Sequence, residues 1–504
     1  MTCLWHKIGY DKISEEVGRG VYPTRPQKVE RLKVIDMQIT KRDFLKKLGL
    51  GGAAFATGAA FGDEYVPDNS KLPEGSCGDP QNAWFGKHIF PLDHTMTDVP
   101  SAFLKDGKVF QPARELPIFH ETDVVVVGGG PAGFAAAVSA ARTGAKVALV
   151  ERYGSLGGLF TTGMVLIVLA TSAYRGGKWN LVTRGVCEEF MLRAGKLGKI
   201  FCNPPELACP KKQWLPTIDP EAAKVIMDEM IAENKVEMFF HSWGVDVIQD
   251  GDAVKGVVFE SKQGRQAILA KQVVDCTGDA DMLFLAGGDY SQVTCPISTV
   301  FRWANMDTIN PPQDAKSNFP RHGNEGNPDA RWGGAGMITG NGLSVRDLSA
   351  AEVEQRRLNW KQVMKMRSTP GWENVYTSNS ASQIGARQSR LIAAEYVMGR
   401  KEIVEENDKF SDCIGWCGAD GPHKAFRVPY RQILPKKVEN LLCAGRCLGK
   451  GDSIDTFRLI APCFMTGQAA GITAGLAVQK GITPRALAYS DIAKTLDAQG
   501  VYHE

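Results

Sequence analysis

The chain has almost no net charge. Its 59 lysines and arginines against 56 aspartates and glutamates leave +3. Nothing in that balance calls for a nucleic acid or another polyanionic partner. Cysteine is sparse, 12 in 504 residues, which excludes a disulfide scaffold. Cys413/Cys417 and Cys443/Cys447 are spaced C-x3-C. That is neither a C-x2-C redox pair nor a four-cysteine iron–sulfur run, so core packing is the better reading. His88, His94 and His120 lack metal-ligand spacing, and no metal site is expected. Long apolar runs are also missing: uncharged Leu48–Gly62 stops at 15 residues, short of the roughly 20 that span a bilayer. Glycine, by contrast, is plentiful at 54 residues, where the usual ~7% would give roughly 35. The glycines show no fixed period, which excludes collagen and simple repeats. Length suggests two or three domains.

Residues 1–36 show no sustained period and read as disordered, or as an extension upstream of a start at Met37. Lys41, Arg42, Lys46 and Lys47 then precede the uncharged stretch. That order is the layout of a signal segment. Thr40–Lys46 resembles a twin-arginine export signal with Lys41 in place of the first arginine. Export to the periplasm is the expectation; a cytoplasmic protein with an amphipathic or anchoring N-terminal helix is the alternative. Gly49–Ala54 fits G-x-G-x-x-A, but no buried strand precedes it, so it is set aside. Seven prolines between residues 63 and 120 suggest an extended arm.

The informative glycines follow Asp123–Val127, a β-branched run suited to a strand buried on both faces. Gly128-Gly129-Gly130-Pro131-Ala132-Gly133 comes next, then an alanine-rich helix to Arg142, then a second strand, Lys146–Val150, closed by Glu151. Gly128 permits the tight turn, Gly130 lets a pyrophosphate approach the backbone, and Gly133 lets helix and strand pack closely. The helix N-terminus offers unpaired N–H groups to phosphate. Glu151 can accept from ribose hydroxyls and disfavours a 2′-phosphate. Strand, loop, helix and acid together point to dinucleotide binding. Tyr153–Gly158 continues glycine-rich, as a backbone running beside a large cofactor would.

Downstream, Asp219 and Pro220 open a helix through Asn234. Val236–Val247, Ala253–Ser261 and Gln266–Ala270 read as strands, and Lys271–Asp281 as a strand ending in a Thr-Gly-Asp turn. Further on stand Gly385-Ala386-Arg387-Gln388-Ser389-Arg390 with Glu395-Tyr396, and Asn440-Leu441-Leu442-Cys443-Ala444-Gly445-Arg446-Cys447. Arg458–Gly471 follows. In this order the motifs resemble the FAD-dependent oxidoreductases of the two-dinucleotide-domain type, over about residues 120–480. The resemblance implies an α/β fold. A Rossmann-like FAD-binding domain (parallel sheet, inserted β-meander) would carry an inserted α+β substrate/cap domain. It implies FAD contacts at Gly128, Gly130, Pro131, Ala132, Gly133, Glu151, Arg152, Gly157, Gly158, Val245, Thr277, Gly278, Asp279, Gly445, Arg446 and Gly467. It also sets the helix after Pro462 against the flavin, where its N-terminus would stabilise negative charge; a small-residue core helix is the alternative.

Expected segments are 1–36, the signal at 37–62 and the arm at 63–120. The FAD domain takes 121–158, 216–289 and 426–482, with cap segments at 159–215 and 290–425 and a tail at 483–504. Ile297–Trp303 reads as one strand, and 346–410 as partly helical. Candidate chemical groups are Arg302, Arg387, Arg390, Glu395, Tyr396, His423, Arg427 and Arg458. His423 is the best acid/base by intrinsic pKa. The arginines suit a clamp on a carboxylate or on developing charge. Arg387 and Arg390, three apart, would share a helix face, either functional, ion-paired with Glu395 or solvated at the surface. No second G-x-G-x-x-G follows a strand, so a dedicated NAD(P)H domain is not expected. Electrons would pass through a small-molecule substrate, a small carrier or a donor or acceptor protein. Hydride transfer to or from a small organic substrate is the expected chemistry; an electron-transfer partner without turnover is the alternative.

Overall fold

A computed structural model describes residues 101–203, 214–308, 326–404, 410–418, 425–450 and 456–503. All of them belong to the unit Asp68–Glu504. His423 and the signal-like residues 37–62 lie outside the described residues.

The valine run forms the C-terminal end of β1 (Ile118–Val127), where Val124–Val127 are buried on both faces. Helix α1 (Pro131–Arg142) returns the chain to β2 (Val147–Val150), which pairs parallel with β1. Asp219 caps α2 (Pro220–Glu233) by accepting from the N–H groups of Glu221 and Ala222. After α2 comes β3 (Glu237–Phe239), parallel to β2. Three antiparallel strands follow: β4 (Trp243–Asp250), β5 (Ala253–Ser261) and β6 (Gly264–Asp275). The long β6 then runs parallel beside β1, and β7 (Leu441–Cys443) pairs parallel with its last three residues. The sheet order is β4-β5-β6-β1-β2-β3, with β7 beside β6. This is the expected parallel sheet with an inserted meander.

Helix α3 (Ile460–Lys480) lies on α1 with a seam of small residues. A Cβ on Gly467 would come within 2.7 Å of Ala132 Cα, and one on Gly471 within 2.8 Å of the Ala136 carbonyl carbon. The backbones therefore approach as only glycine allows, which leaves α3 almost wholly buried.

Several local readings are corrected. Val236–Val247 is two strands, not one: the chain breaks at residues 240–242, and His241 has φ +54°. Ile297–Trp303 also divides, into Cys295–Ser298 and Val300–Ala304, and the pieces join different small sheets. The 346–410 region holds the helix Val345–Arg367, but Arg387 sits in the short link between the strands Gly385–Ala386 and Arg390–Ile392. Arg387 and Arg390 therefore share no helix face. The expected arm contains a hairpin, Phe103–Lys105 with Lys108–Phe110, and β1 begins inside it at Ile118. The expected tail is ordered: α4 (Tyr489–Ala498) buries Ile492 and Leu496. The nine described cysteines are all buried, Cys413, Cys417, Cys443 and Cys447 among them. No helix among the described residues is long and apolar enough to cross a membrane.

Candidate active site

The C-terminal ends of β1 and β6 and the N-termini of α1 and α3 meet around one cavity of about 710 Å³. Its first wall is the glycine loop. Gly128, at φ +98°, tucks against the Cys276 carbonyl, where any Cβ would overlap. Gly133 packs on Gly128 in the same way, with the carbonyl carbon 2.9 Å from an added Cβ. Gly130 differs. It is the N-cap of α1, at φ −66° and ψ −176°, and an added Cβ would have nothing within 4 Å. The space beside Gly130 is therefore cavity, not protein. No side chain caps α1 and no acid stands in its first turn, so its N–H groups are left for an anion.

Glu151 shapes this loop. Its Oε2 accepts from Gly129 N at 2.6 Å and its Oε1 from Tyr153 N at 2.8 Å. Burial pushes its carboxyl above the ordinary range, and those N–H groups oppose the shift. Gly157 N donates to Gly129 O at 2.8 Å, which braces the loop from behind. Beyond Glu151 the cavity is lined by Arg152, Tyr153, Ser242, Trp243 and Gly244. Ser242 N donates to Glu151 O at 3.0 Å, so the break between β3 and β4 is pinned beside the acid.

The opposite wall is the β6 end. Asp275 is wholly buried and accepts from Thr277 N, Thr277 Oγ1 and Leu283 N at 3.1, 2.7 and 3.1 Å. Burial, with Asp281 nearby, pushes its carboxyl up to about 6. Thr277, Gly278 and Asp281 line the cavity. Arg446 joins this wall to the cap: it meets Asp279 Oδ2 at 2.7 Å and donates to Ala386 O at 2.6 Å. Ser389 Oγ also donates to Asp279. Arg390 donates to Asp281 Oδ1 at 2.7 Å and lies over the Phe284 ring.

Past α3's N-terminus, where Leu459, Ile460 and Cys463 line the cavity, the walls belong to the cap. Leu159, Val165, Ile167, Val300, Trp332 and Met337 make them apolar. Gln383 and Arg387 are the larger polar side chains there, while Arg458 lines the cavity next to the α3 N-cap Leu459.

Of the expected cofactor residues, Gly128, Gly130, Pro131, Ala132, Glu151, Arg152, Gly158, Thr277, Gly278, Gly445 and Arg446 line the cavity. Gly133, Gly157, Asp279 and Gly467 do not; they hold helix, loop, arginine and helix seam respectively. Val245 sits at a register shift in β4 and does not line the cavity, whereas its neighbours Ser242–Gly244 do. Those neighbours were missed because the strand break that exposes them has no marker in the sequence. Among the candidate catalytic residues, Arg387 and Arg458 line the cavity, and Arg390 does not. Arg302 pairs with Asp219 at 2.9 Å, Glu395 with Arg485, and Arg427 donates to the His503 carbonyl at 3.1 Å. Tyr396 bonds Glu402 at 3.1 Å. None of these four lines the cavity.

The cavity fits a dinucleotide: open space beside Gly130, an uncapped helix N-terminus, and a buried acid one strand away. Comparison with known proteins agrees. A family model described as FAD dependent oxidoreductase matches residues 123–293 and 292–496. A dihydrolipoyl dehydrogenase from Trypanosoma brucei brucei is 60% identical over 45 residues, 9% of this chain and 9% of its own length. A thiamine thiazole synthase from Methanococcus vannielii is 30% identical over 174 residues, 31% of this chain and 56% of its own length. The matched regions thus span less than two thirds of either relative. Among solved structures, a geranylgeranyl bacteriochlorophyll reductase-like protein from Thermoplasma acidophilum has a TM-score of 0.40 at 15% identity, covering 75% of this chain and 83% of that one.

Proposed function

This chain belongs to the FAD dependent oxidoreductase family, and on that premise we propose that it moves a hydride between its FAD and a small organic substrate held in the same cavity. FAD, when bound, supplies the centre that accepts or gives the hydride. The chain's own residues do the rest. The Gly130 space and the α1 N-terminus would receive the pyrophosphate. Glu151, fixed by two backbone N–H groups, would accept from the ribose. The α3 N-terminus, which no side chain caps, would offer its positive dipole end to negative charge on the cofactor. The cap walls hold the substrate and exclude water.

The observation that carries this reading is continuity. One cavity joins the dinucleotide loop to an apolar, arginine-bearing end built by the cap. A carrier that only passes electrons to another protein has no use for such an end. The test is anaerobic: purified holoprotein is mixed with a panel of sugars, alcohols and unsaturated acids, and its flavin absorbance is followed. Rapid bleaching by one class, or rapid reoxidation of reduced protein, is expected. If only a partner protein can reduce or reoxidise the flavin, the chain is a carrier. We also propose that residues 37–62 direct export by a twin-arginine route, which would carry a protein already folded around its cofactor.

A further inference from the structure

The cap helix Val345–Arg367 buries one side and not the other. Ala351, Gln355, Asn359, Val363 and Met366 face the protein. At 3.6 residues per turn the far side carries Val353, Trp360 and Met364, which are 45%, 65% and 46% exposed. An apolar row on the outward face of a surface helix is the reverse of the usual pattern. Cations flank it. Between Arg356 and Arg367 stand Arg356, Arg357, Lys361, Lys365 and Arg367, all exposed, with no acid among them. Arg356 is matched by Glu352 at 2.9 Å and Arg357 by Glu354 at 3.7 Å. Arg367 donates to the Val375 carbonyl at 2.9 Å. Lys361 and Lys365 have no ion-pair partner among the described residues. Glu373, the next acid along the chain, accepts from Gly371 N in its own loop at 3.0 Å. The strand Tyr376–Ser380 is fastened alongside, by Arg367 at Val375 and by Asn359 Nδ2 at Thr377 Oγ1, and its Tyr376 is exposed as well.

We infer that this face of the cap docks on the surface of an anionic lipid bilayer. Trp360, Met364 and Val353 enter the headgroup layer, and Lys361 and Lys365 meet lipid phosphates. The charge pattern selects this occupant: an apolar row edged by unmatched lysines is complementary to a surface that is negative outside and apolar beneath. Lysine stems run along hydrocarbon while their heads stay at the phosphates. Shape agrees. From Val353 to Met364 the row is roughly 17 Å long and one side chain wide, on a convex ridge. A stable protein interface buries about 800 Å² on each partner, more than such a row supplies. The same helix borders the cavity: Leu358 Cδ1 lies 3.8 Å from where a Cβ on Gly336 would stand, and Gly336 and Met337 line the cavity. Docking here would hold that rim near the lipid. The inference does not rest on the hydride-transfer reading.

The experiment floats the purified holoprotein with vesicles of phosphatidylcholine alone, or of equal parts phosphatidylcholine and phosphatidylglycerol. Binding to the anionic vesicles is expected, at least about 10-fold tighter than to the neutral ones, and weakened near 1 M salt, where the Debye length falls to ~3 Å. Lys361→Gln with Lys365→Gln should weaken it roughly 25-fold, about 5-fold for each lysine. Lys255→Gln with Lys494→Gln removes the same charge from exposed positions elsewhere and should change binding far less. Trp360→Ser should weaken binding by about 10-fold or more, and Trp360→Phe should keep most of it. Vesicles should also shift the tryptophan emission of the parent to the blue, a shift missing from Trp360→Phe. Flavin content and thermal unfolding check that each variant is folded. No binding to anionic vesicles overturns the inference, as does equal binding to both kinds. So does an equal loss in the two lysine pairs, which would reduce the effect to net charge. A protein that ignores vesicles, runs as a dimer and becomes a monomer on Trp360→Ser places a second copy on this face, and the lipid reading falls.

Discussion

Two glycines in this protein look alike in the sequence and differ in what surrounds them. Gly130 has ordinary backbone angles, and a Cβ there meets nothing within 4 Å. Gly130→Val should therefore fold. At a helix N-cap, replacing glycine by an apolar residue costs about 1 kcal/mol or less. The added methyls project into the space where the pyrophosphate must approach. Overfilling a close-packed contact by such groups costs ~1–3 kcal/mol, about 5- to 150-fold in affinity, and more when the pushed group is charged. Gly467→Ala should do the opposite. Helix propensity gains about 1 kcal/mol, but the new Cβ lies 2.7 Å from both Cα and the carbonyl carbon of Ala132. That overlap is with backbone on a second helix, which cannot turn away as a side chain would. The helices must separate, and a net loss of roughly 1–3 kcal/mol is expected. Two assays tell the variants apart: FAD released by acid per mole of purified protein, and thermal unfolding of the protein stripped of flavin. Gly130→Val should lose flavin at nearly unchanged apoprotein stability; Gly467→Ala should unfold at lower temperature even without flavin. A Gly130→Val protein with full flavin content would refute the loop assignment. A Gly467→Ala apoprotein as stable as its parent would refute the helix seam.

Asp275 titrates near 6 in the fold, above the ~3.9 of an unfolded chain. The folded chain keeps that proton after the unfolded chain has lost it. Its contribution to stability therefore declines as pH rises from about 4 to 6, by on the order of 3 kcal/mol, and is level above that. Asp275→Asn should remove this part of the slope in urea unfolding between those pH values; an identical slope in parent and variant refutes it. Arg446 bridges Asp279 and the Ala386 carbonyl, so Arg446→Gln should cost about 3 kcal/mol by stranding a half-desolvated carboxylate. Adding Asp279→Asn should cost less than the sum of the two single changes, and strict additivity would break the pairing. A fusion of residues 37–70 to a folded reporter should reach the periplasm and fail to do so after Arg42→Lys with Lys41→Gln; continued export in that variant would rule out the twin-arginine route.

The dinucleotide half of the site is written locally, and so it can be read. The valine run, the three loop glycines, the alanine helix and Glu151 lie within 29 residues of one another, and their order marks the loop even though Gly128 rests on the distant Cys276. The breaks are different. Nothing in Phe240-His241-Ser242 marks the end of a strand. The chain turns there because Ser242 N reaches the Glu151 carbonyl and His241 N the Tyr153 carbonyl, contacts about 90 residues apart in sequence. The split at Thr299 likewise depends on which small sheets the two pieces join, not on the residues alone.

The Gly385–Arg390 motif shows where reading by pattern stops. As a string it is one feature, and its two arginines invite one role. In the fold the motif passes from the short strand Gly385–Ala386 through a three-residue link into Arg390–Ile392, so its side chains meet different neighbours. Arg387 lines the cavity, while Ser389 and Arg390 fasten to Asp279 and Asp281 at the β6 end. Arg446 then clamps the Ala386 carbonyl, one residue before Arg387. The cavity-lining Arg387 is thus tied to the same acidic turn whose Thr277 and Gly278 line another wall. A change at Asp279 should therefore disturb both ends of the cavity at once, although its own side chain lines neither.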